Sequence, residues 1–523
     1  MRTLRPVSGC FCGRVTRRRL LASSCGACAA AALPRLVGAA APAPGATKPA
    51  GKTRVRIIYS LHAVKQPGPD WPNKGFDFGP VMKRIDAELA RLCGDIEFVS
   101  SMSSGGDVGK VLAADKAGGV DGYLVYQLNC WNRVVQPVVA TGKPVLYADF
   151  QFGGSGGFLV YTAAFLRRKT PNVGFVASSR LEDVAAAARC FSLVGKGGSA
   201  ADFAAAVARV RAERAPKAGD PAGKDDALKC LAPAECLRRM KESRLLIVSG
   251  NDSRPGSPIM GIATEQVSYA EVNDAWKAAD KDESRAVADR WQKTAAAVVG
   301  VSRETLETSA AMYLGMKAVL KKHSANGITI NCLGGFYGRR IHAYPCLGFH
   351  ELNNEGMVGG CEADVRSATT MLAGAALTGG RPGYISDPVI DTAKRQIIYA
   401  HCVASNKVFG PAGPANPFQI LTHSEDRQGA SVRSILPAGH ITTSMEMDAR
   451  RKEVLLHQAK SVGNDDDDRA CRTKLCGEPL GDIEKLFGFW DQWGWHRVTF
   501  YGDLKAGAAA LAEAMGWKVV EEA

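Results

Sequence analysis

From residue 54 to about 333 the chain alternates short apolar runs with longer stretches of helical spacing, a pattern that few folds accept. "RVRIIYSL" (54–61), "IEFVSS" (96–101), "GYLVYQL" (122–128) and "PVLYADF" (144–150) have the texture of strands, whereas "FGPVMKRIDAELARLCG" (78–94) repeats its apolar residues at helical spacing. Strands separated by helices cannot form hairpins; they pair in parallel, with the crossover helices covering both faces of the sheet. The alternation resumes with "NVGFVASS" (172–179) and helices around 182–214. A polar, Pro/Gly-containing insertion (215–229) follows, then "RLLIVSG" (244–250), helical stretches at 268–299 and 303–323, and "GITINCL" (327–333). We read two doubly wound, Rossmann-like α/β domains at 53–170 and 171–378, with ligand-accepting loops after their strand C-termini. "QFGGSGG" (151–157) lacks the spacing of a dinucleotide fingerprint and reads as a hinge or loop. With no Walker or Rossmann motif elsewhere, a nucleotide-dependent enzyme is disfavoured.

From about residue 380 the texture changes. Short β-like runs, "GYISD", "QIIYAHCVA", "FQILTHS", "GASVRSILPAG" and "HRVTFYGD", are separated by Pro/Gly turns. They predict a small antiparallel β barrel or sandwich at 379–523, closed by the Ala-rich helix "LKAGAAALAEAMG". "NDDDDRACRTKLCGEP" reads as a solvated loop, since it lacks the ligand alternation of a calcium loop.

The net charge of +14 suggests nucleic acid until it is located. Residues 1–41 hold seven arginines and no acid, leaving +7 on the remainder, with no basic stripe interleaved with aromatics. Nucleic acid is therefore not an expected partner. Arg17, Arg18, Leu20 and Leu21 form a twin-arginine core ahead of a mildly apolar Ala-rich segment, with small residues at Gly38–Ala41 for cleavage. We read 1–41 as a Tat signal peptide and 42–52 as a flexible linker, which predicts a periplasmic or otherwise exported protein. No later segment reads as a membrane span. Four of the 15 cysteines lie in the signal; Cys230/Cys236 and Cys471/Cys476 are close enough for small disulfide loops, and the others read as buried thiols.

The most informative stretch is "CEADVRSATTMLAGAALTGGRPGYISDPVIDTAKRQIIYAHC" (361–402). A helix from Glu362 to about Leu377 would rise ~24 Å at ~1.5 Å per residue. Gly379, Gly380 and Pro382 stop it. The strand "RPGYISD" would then return ~23 Å at ~3.3 Å per residue, bringing Asp387 level with Glu362. In this reading Pro388 ends the strand. Acids in a first helical turn also complement the dipole, and Asp-Pro steps are common turns, so spacing alone does not decide for a site. His401 lies inside the next apolar run. His496 sits among Trp490, Trp493 and Trp495, rings on which a sugar face can stack if they are not simply core.

At these residues the chain resembles the L-fucose/L-arabinose isomerase superfamily, most closely its fucose-isomerase side. The resemblance is carried by "PCLGFHELNNEGMVGGCEADVRSATTM", "SDPVID", "AHC", "PAGHITTS" and "HRVTFYGD". It implies a divalent metal, usually Mn2+, held by Glu362, Asp387 and His496. The arabinose branch's fourth ligand would match His401, although the helix-and-strand geometry above carries that residue away from Asp387. The resemblance also implies aldose–ketose isomerisation through an ene-diolate, with Glu362 and Asp387 as acid and base. A small sugar would be the substrate, stacked on Trp490, Trp493 or Trp495, in a homo-oligomer (trimer or hexamer). A carbohydrate hydrolase or lyase on the same carboxylates, and a non-catalytic periplasmic sugar-binding protein, are the alternatives.

Overall fold

A computed structural model describes residues 52–523. The expected signal peptide and nearly all of the 42–52 linker lie outside them. The first sheet comprises β1 (Thr53–Ser60), β2 (Ile96–Ser103), β3 (Gly122–Gln127), β4 (Val145–Asp149) and β5 (Val173–Val176). All are parallel, in the order β2-β1-β3-β4-β5. The segment expected to open a second block is thus the last strand of the first sheet. The helix Ala200–Arg214 packs on it, with the Arg211 guanidinium 3.6 Å from the centre of the Phe175 ring and Nη1 donating to the Phe175 carbonyl. Alternation in sequence identifies strands and helices but does not say which sheet a strand joins.

The second sheet is built from β6 (Arg244–Gly250), β7 (Arg254–Pro255) and β8 (Ala263–Ser268) and, beyond β9 (Ala297–Val299), from β10 (Gly327–Ile330) and β11 (Val358–Cys361). Its order is β11-β10-β6-β8-β7, parallel except at the short β7. The insertion at 215–232 has no helix or strand and runs across the β-rich region. There Asp226 accepts both terminal nitrogens of Arg381, the Lys224 amide donates to Gly439, and the Leu231 amide donates to Leu377.

The C-terminal strands are β12 (Tyr384–Asp391), β13 (Gln396–His401), β14 (Phe418–Leu421), β15 (Ser431–Ser434), β16 (Ile441–Asp448), β17 (Glu453–Asn464), β18 (Thr473–Pro479), β19 (Arg497–Tyr501) and β20 (Lys518–Glu521). Six of them close an antiparallel barrel in the order β16-β19-β12-β13-β18-β17-β16, and β20 joins β17 in parallel. Three sequence expectations are corrected here. The "FQILTHS" and "GASVRSILPAG" runs leave the barrel and form a separate sheet with β9. The second half of "NDDDDRACRTKLCGEP" is the buried barrel strand β18, and two of its four aspartates are paired, Asp467 with Arg469 and Asp468 with Arg427 and Arg472. Pro388 does not end β12: the strand continues to Asp391. β19 pairs with β12 only through Ser386, so Pro388 lies where one side of the strand has no ladder partner to miss its N–H.

The helix Val365–Thr378 joins the second sheet to the barrel. It is buried along most of its length and ends on Gly379 at φ 71, as the sequence predicts. Gly374 allows the closest approach, since a Cβ there would lie 2.1 Å from the Phe500 ring of β19. The described residues contain no helix long and apolar enough to cross a membrane.

A buried polar chain holds the barrel to the end of β20. Tyr399 on β13 meets His457 on β17 at 2.7 Å, and His457 Nδ1 lies 2.9 Å from Glu522. Glu522 also accepts from Nε and Nη2 of Arg497 on β19, whose guanidinium rests 4.0 Å from the Trp490 ring centre. Burial opposes the charge on Glu522, yet Arg497 and His457 outweigh it and hold its carboxyl down at about 2. In an unfolded chain it titrates near ~4.3. Ionised Glu522 therefore stabilises the fold fully above about pH 4.3, and that contribution is lost as pH falls towards 2. Glu522→Gln should lower the unfolding free energy by roughly 3 kcal/mol at pH 7. In urea titrations the gap from wild type should close on acidification to pH 2.5; a gap that stays constant would remove the electrostatic explanation.

Candidate metal centre

Glu362 does not start a helix. It follows the last residue of β11 at φ 62, and Ala363 follows it at φ 48. Two successive non-glycine residues in the left-handed region cost about 1–2 kcal/mol each, and a turn of this kind persists only where its surroundings impose it. The Ala363 amide donates to the Ile330 carbonyl of β10, pinning the turn to the sheet. Asp364 is the N-cap: its Oδ1 accepts from the Ser367 amide at 3.1 Å. Its Oδ2 accepts from the Ser367 hydroxyl at 3.0 Å and pairs with Nδ1 of His496 at 2.9 Å.

The barrel register delivers the other side chains. β12 turns at 392–395 and returns as β13 with Asp387 opposite Ala400, so His401 comes back to the level of Asp387. The expectation that His401 is carried away fails because β12 runs four residues past Asp387 before turning. On the other side of β12, Ser386 opposes Arg497, which places His496 at the next step, beside Asp387. His496 Nε2 lies 3.1 Å from Asp387 Oδ1 and 3.9 Å from Glu362 Oε2. His401 Nε2 lies 4.0 Å from Glu362 Oε1, and the two imidazole centres are 5.5 Å apart. Donor atoms of Glu362, His401 and His496 all fall within 4.8 Å of one another. Asp387 is fully buried and both histidines nearly so, while the Glu362 side chain is 21% exposed, so the cluster opens on the Glu362 side.

Burial holds His401 below its ordinary value, hence neutral, and neither of its ring nitrogens has a hydrogen-bond partner. Burial also opposes charge on His496, but Asp364, Asp387 and Glu362 outweigh it and hold the imidazole well above its ordinary range. For Asp364, too, burial is outweighed, here by His496 and Arg366, and its carboxyl stays well below the usual range. A divalent cation fits this donor set: carboxylate oxygens outnumber the positive charge, the neutral buried imidazole of His401 makes no hydrogen bond, and mixed O/N donors suit a first-row dication. Glu362, His401 and His496 could hold it, with Asp387 bordering them through His496.

Two of the three tryptophans differ from expectation. Trp490 and Trp493 are fully buried; Trp490 lies under Arg497, and Arg451 sits 4.7 Å from the centre of the Trp493 ring, so neither offers a free face to a sugar. Trp495 is partly exposed and meets Trp131 edge-on at 6.0 Å. The sequence reading missed Asp364. An Asp immediately before the apolar run of a helix is an N-cap signal, and it would have separated Asp364 from the helix and Glu362 from both.

No family model matches the chain. Over 148 residues it is 26% identical to sulfoquinovose isomerase from Priestia aryabhattai, covering 28% of this chain and 32% of that protein. The figures for the Priestia megaterium protein of the same name are the same. For sulfoquinovose isomerase from Alkalicoccus urumqiensis the identity is 25% over 139 residues, 26% of this chain and 31% of the relative. The match spans about a third of the length of these curated relatives. The chain is thus similar, at low identity and over part of its length, to sugar isomerases.

Asp364→Asn keeps a good N-cap, so the helix should survive, but it weakens the charged grip on His496. Calorimetric titration with Mn2+ should show affinity reduced 10–100-fold with an unchanged circular dichroism spectrum. Unchanged affinity would mean that Asp364 serves the helix alone.

Proposed function

We propose that the protein is an exported, divalent-metal-dependent aldose–ketose isomerase, with Mn2+ as the favoured ion. The reading rests on one observation: Glu362, His401 and His496, far apart in sequence, present donor atoms within 4.8 Å of one another, with Asp387 against them. The partial similarity to sulfoquinovose isomerases supports the reaction class. The twin-arginine pattern supports export to the periplasm. The resemblance to fucose and arabinose isomerases motivates a homo-oligomer, trimer or hexamer.

A bound dication would act as a Lewis acid, polarising the sugar carbonyl and acidifying the adjacent C–H and O–H. Glu362, the most exposed member of the cluster, meets the substrate and takes the C2 proton. Asp387, fully buried, serves the sugar oxygen or returns a proton to C1. Asp364 keeps Nε2 of His496 turned towards both carboxylates. Trp495 is the one tryptophan of its cluster with exposed surface for a sugar face.

Incubating the purified protein with free aldoses, sulfoquinovose among them, and with oligosaccharides should yield ketose and no cleavage. Chelation should abolish turnover and added Mn2+ should restore it. Cleavage products would instead indicate a hydrolase or lyase, and binding without turnover or metal would indicate a sugar-binding protein. Glu362→Gln should reduce turnover by roughly 10³-fold or more with the fold intact, as expected on losing a general base that also holds the metal. Near-wild-type activity in that variant would exclude Glu362 as the base.

A further inference from the structure

None of the eleven described cysteines is in a disulfide, and two of them lie beside the cluster. Cys402 directly follows His401, and Cys471 lies two residues before β18. Because His401 opposes Thr473, the two cysteines leave neighbouring strand ends together. The ladder ends at that pair, so the two cysteines lie on segments that leave it side by side, within reach of each other. The two side chains interact with each other. Cys471 Sγ also lies 3.9 Å from Asp387 Oδ2, and Cys402 Sγ lies 3.8 Å from Ser424 Oγ. Both are nearly buried, at 2% and 5% exposure, so only a small oxidant can reach them.

We propose that Cys402 and Cys471 form a redox-sensitive pair whose oxidation to a disulfide silences the neighbouring site through Asp387. The oxidant is a small two-electron thiol reagent, with diamide as the probe. Two S–H bonds break, one S–S bond forms, and two protons and two electrons pass to the diamide N=N bond, which becomes a hydrazine. The Cys471 hydrogen that faces Asp387 is thereby removed, and the sulfur is drawn towards Cys402. The Cys332 and Cys361 side chains also interact, but it is Cys471 whose Sγ lies 3.9 Å from Asp387 Oδ2. The effect on activity rests on the isomerase reading; the disulfide itself does not.

The test oxidises the full chain with diamide, alkylates the remaining thiols and maps peptides without reduction. The expected result is a Cys402–Cys471 linked peptide, turnover reduced at least tenfold, and recovery with dithiothreitol. Cys402→Ser should keep its activity through the same treatment. Both thiols remaining fully alkylatable, a Cys332–Cys361 link in their place, or equal inactivation of Cys402→Ser would overturn the proposal. If the chain isomerises no sugar, the linked peptide still decides whether the pair exists, and loss of Mn2+ affinity on oxidation replaces turnover as the readout of its effect on the site.

Discussion

The site depends on the register in which β12 pairs with its two neighbours. Asp387 lies opposite Ala400 on one side and one step from the Ser386–Arg497 pair on the other. Those alignments bring His401 and His496 to the same level of the barrel wall. Side chains alternate between the faces of a strand, so a one-residue slip of β13 or β19 would turn its histidine to the opposite face. Barrel closure fixes the register, because a sheet that returns to its first strand cannot shift one pairing without disturbing the rest.

A charge constraint acts on that geometry. Glu362, Asp364 and Asp387 crowd around His496 in a pocket from which water is largely excluded. Carboxylates in such a setting need positive charge close by. With protein atoms alone, His496 supplies it by holding a proton. His401 is kept neutral by the same burial, and its ring nitrogens make no hydrogen bond. The left-handed turn at Glu362 and Ala363 belongs to this picture: it spends backbone strain to turn a carboxylate towards two imidazoles, and the Asp364 cap behind it anchors the turn to a buried helix.

Much of the architecture was legible in the sequence, for reasons that also explain where reading failed. Apolar runs separated by helical stretches predicted parallel sheets, and two are present. The change of texture near residue 380 predicted an antiparallel barrel or sandwich, and six strands close a barrel. Local pattern does not encode partner choice, however. Val173–Val176 reads identically whether it ends one sheet or begins another, and Phe418–Leu421 looks like a barrel strand although it pairs with β9. β18 was hidden behind four aspartates; two of them pair with the nearby Arg469 and Arg472, and only Arg427, which also pairs with Asp468, is brought near by the fold. Around the cluster, residue types raised Glu362, Asp387, His401 and His496 as candidates, and the resemblance to fucose and arabinose isomerases implied them as a set. The length argument carried His401 away from Asp387 because Pro388 seemed to end a strand that in fact runs past it. Trp490 and Trp493 were misjudged because an aromatic-rich segment has the same composition in a core as in a sugar cleft.

The lock between Arg497 and Glu522 bears on when the cluster can assemble during protein synthesis. Glu522 leaves the ribosome after every strand of the barrel, so until then the Arg497 guanidinium lacks the carboxylate that accepts from its Nε and Nη2. Helix, turn and first hairpin can form while translation continues, presenting Glu362, Asp387 and His401 early. The strand that follows His496 gains that counter-charge only afterwards, so the cluster of Glu362, His401 and His496 is secured after the other barrel strands have been made.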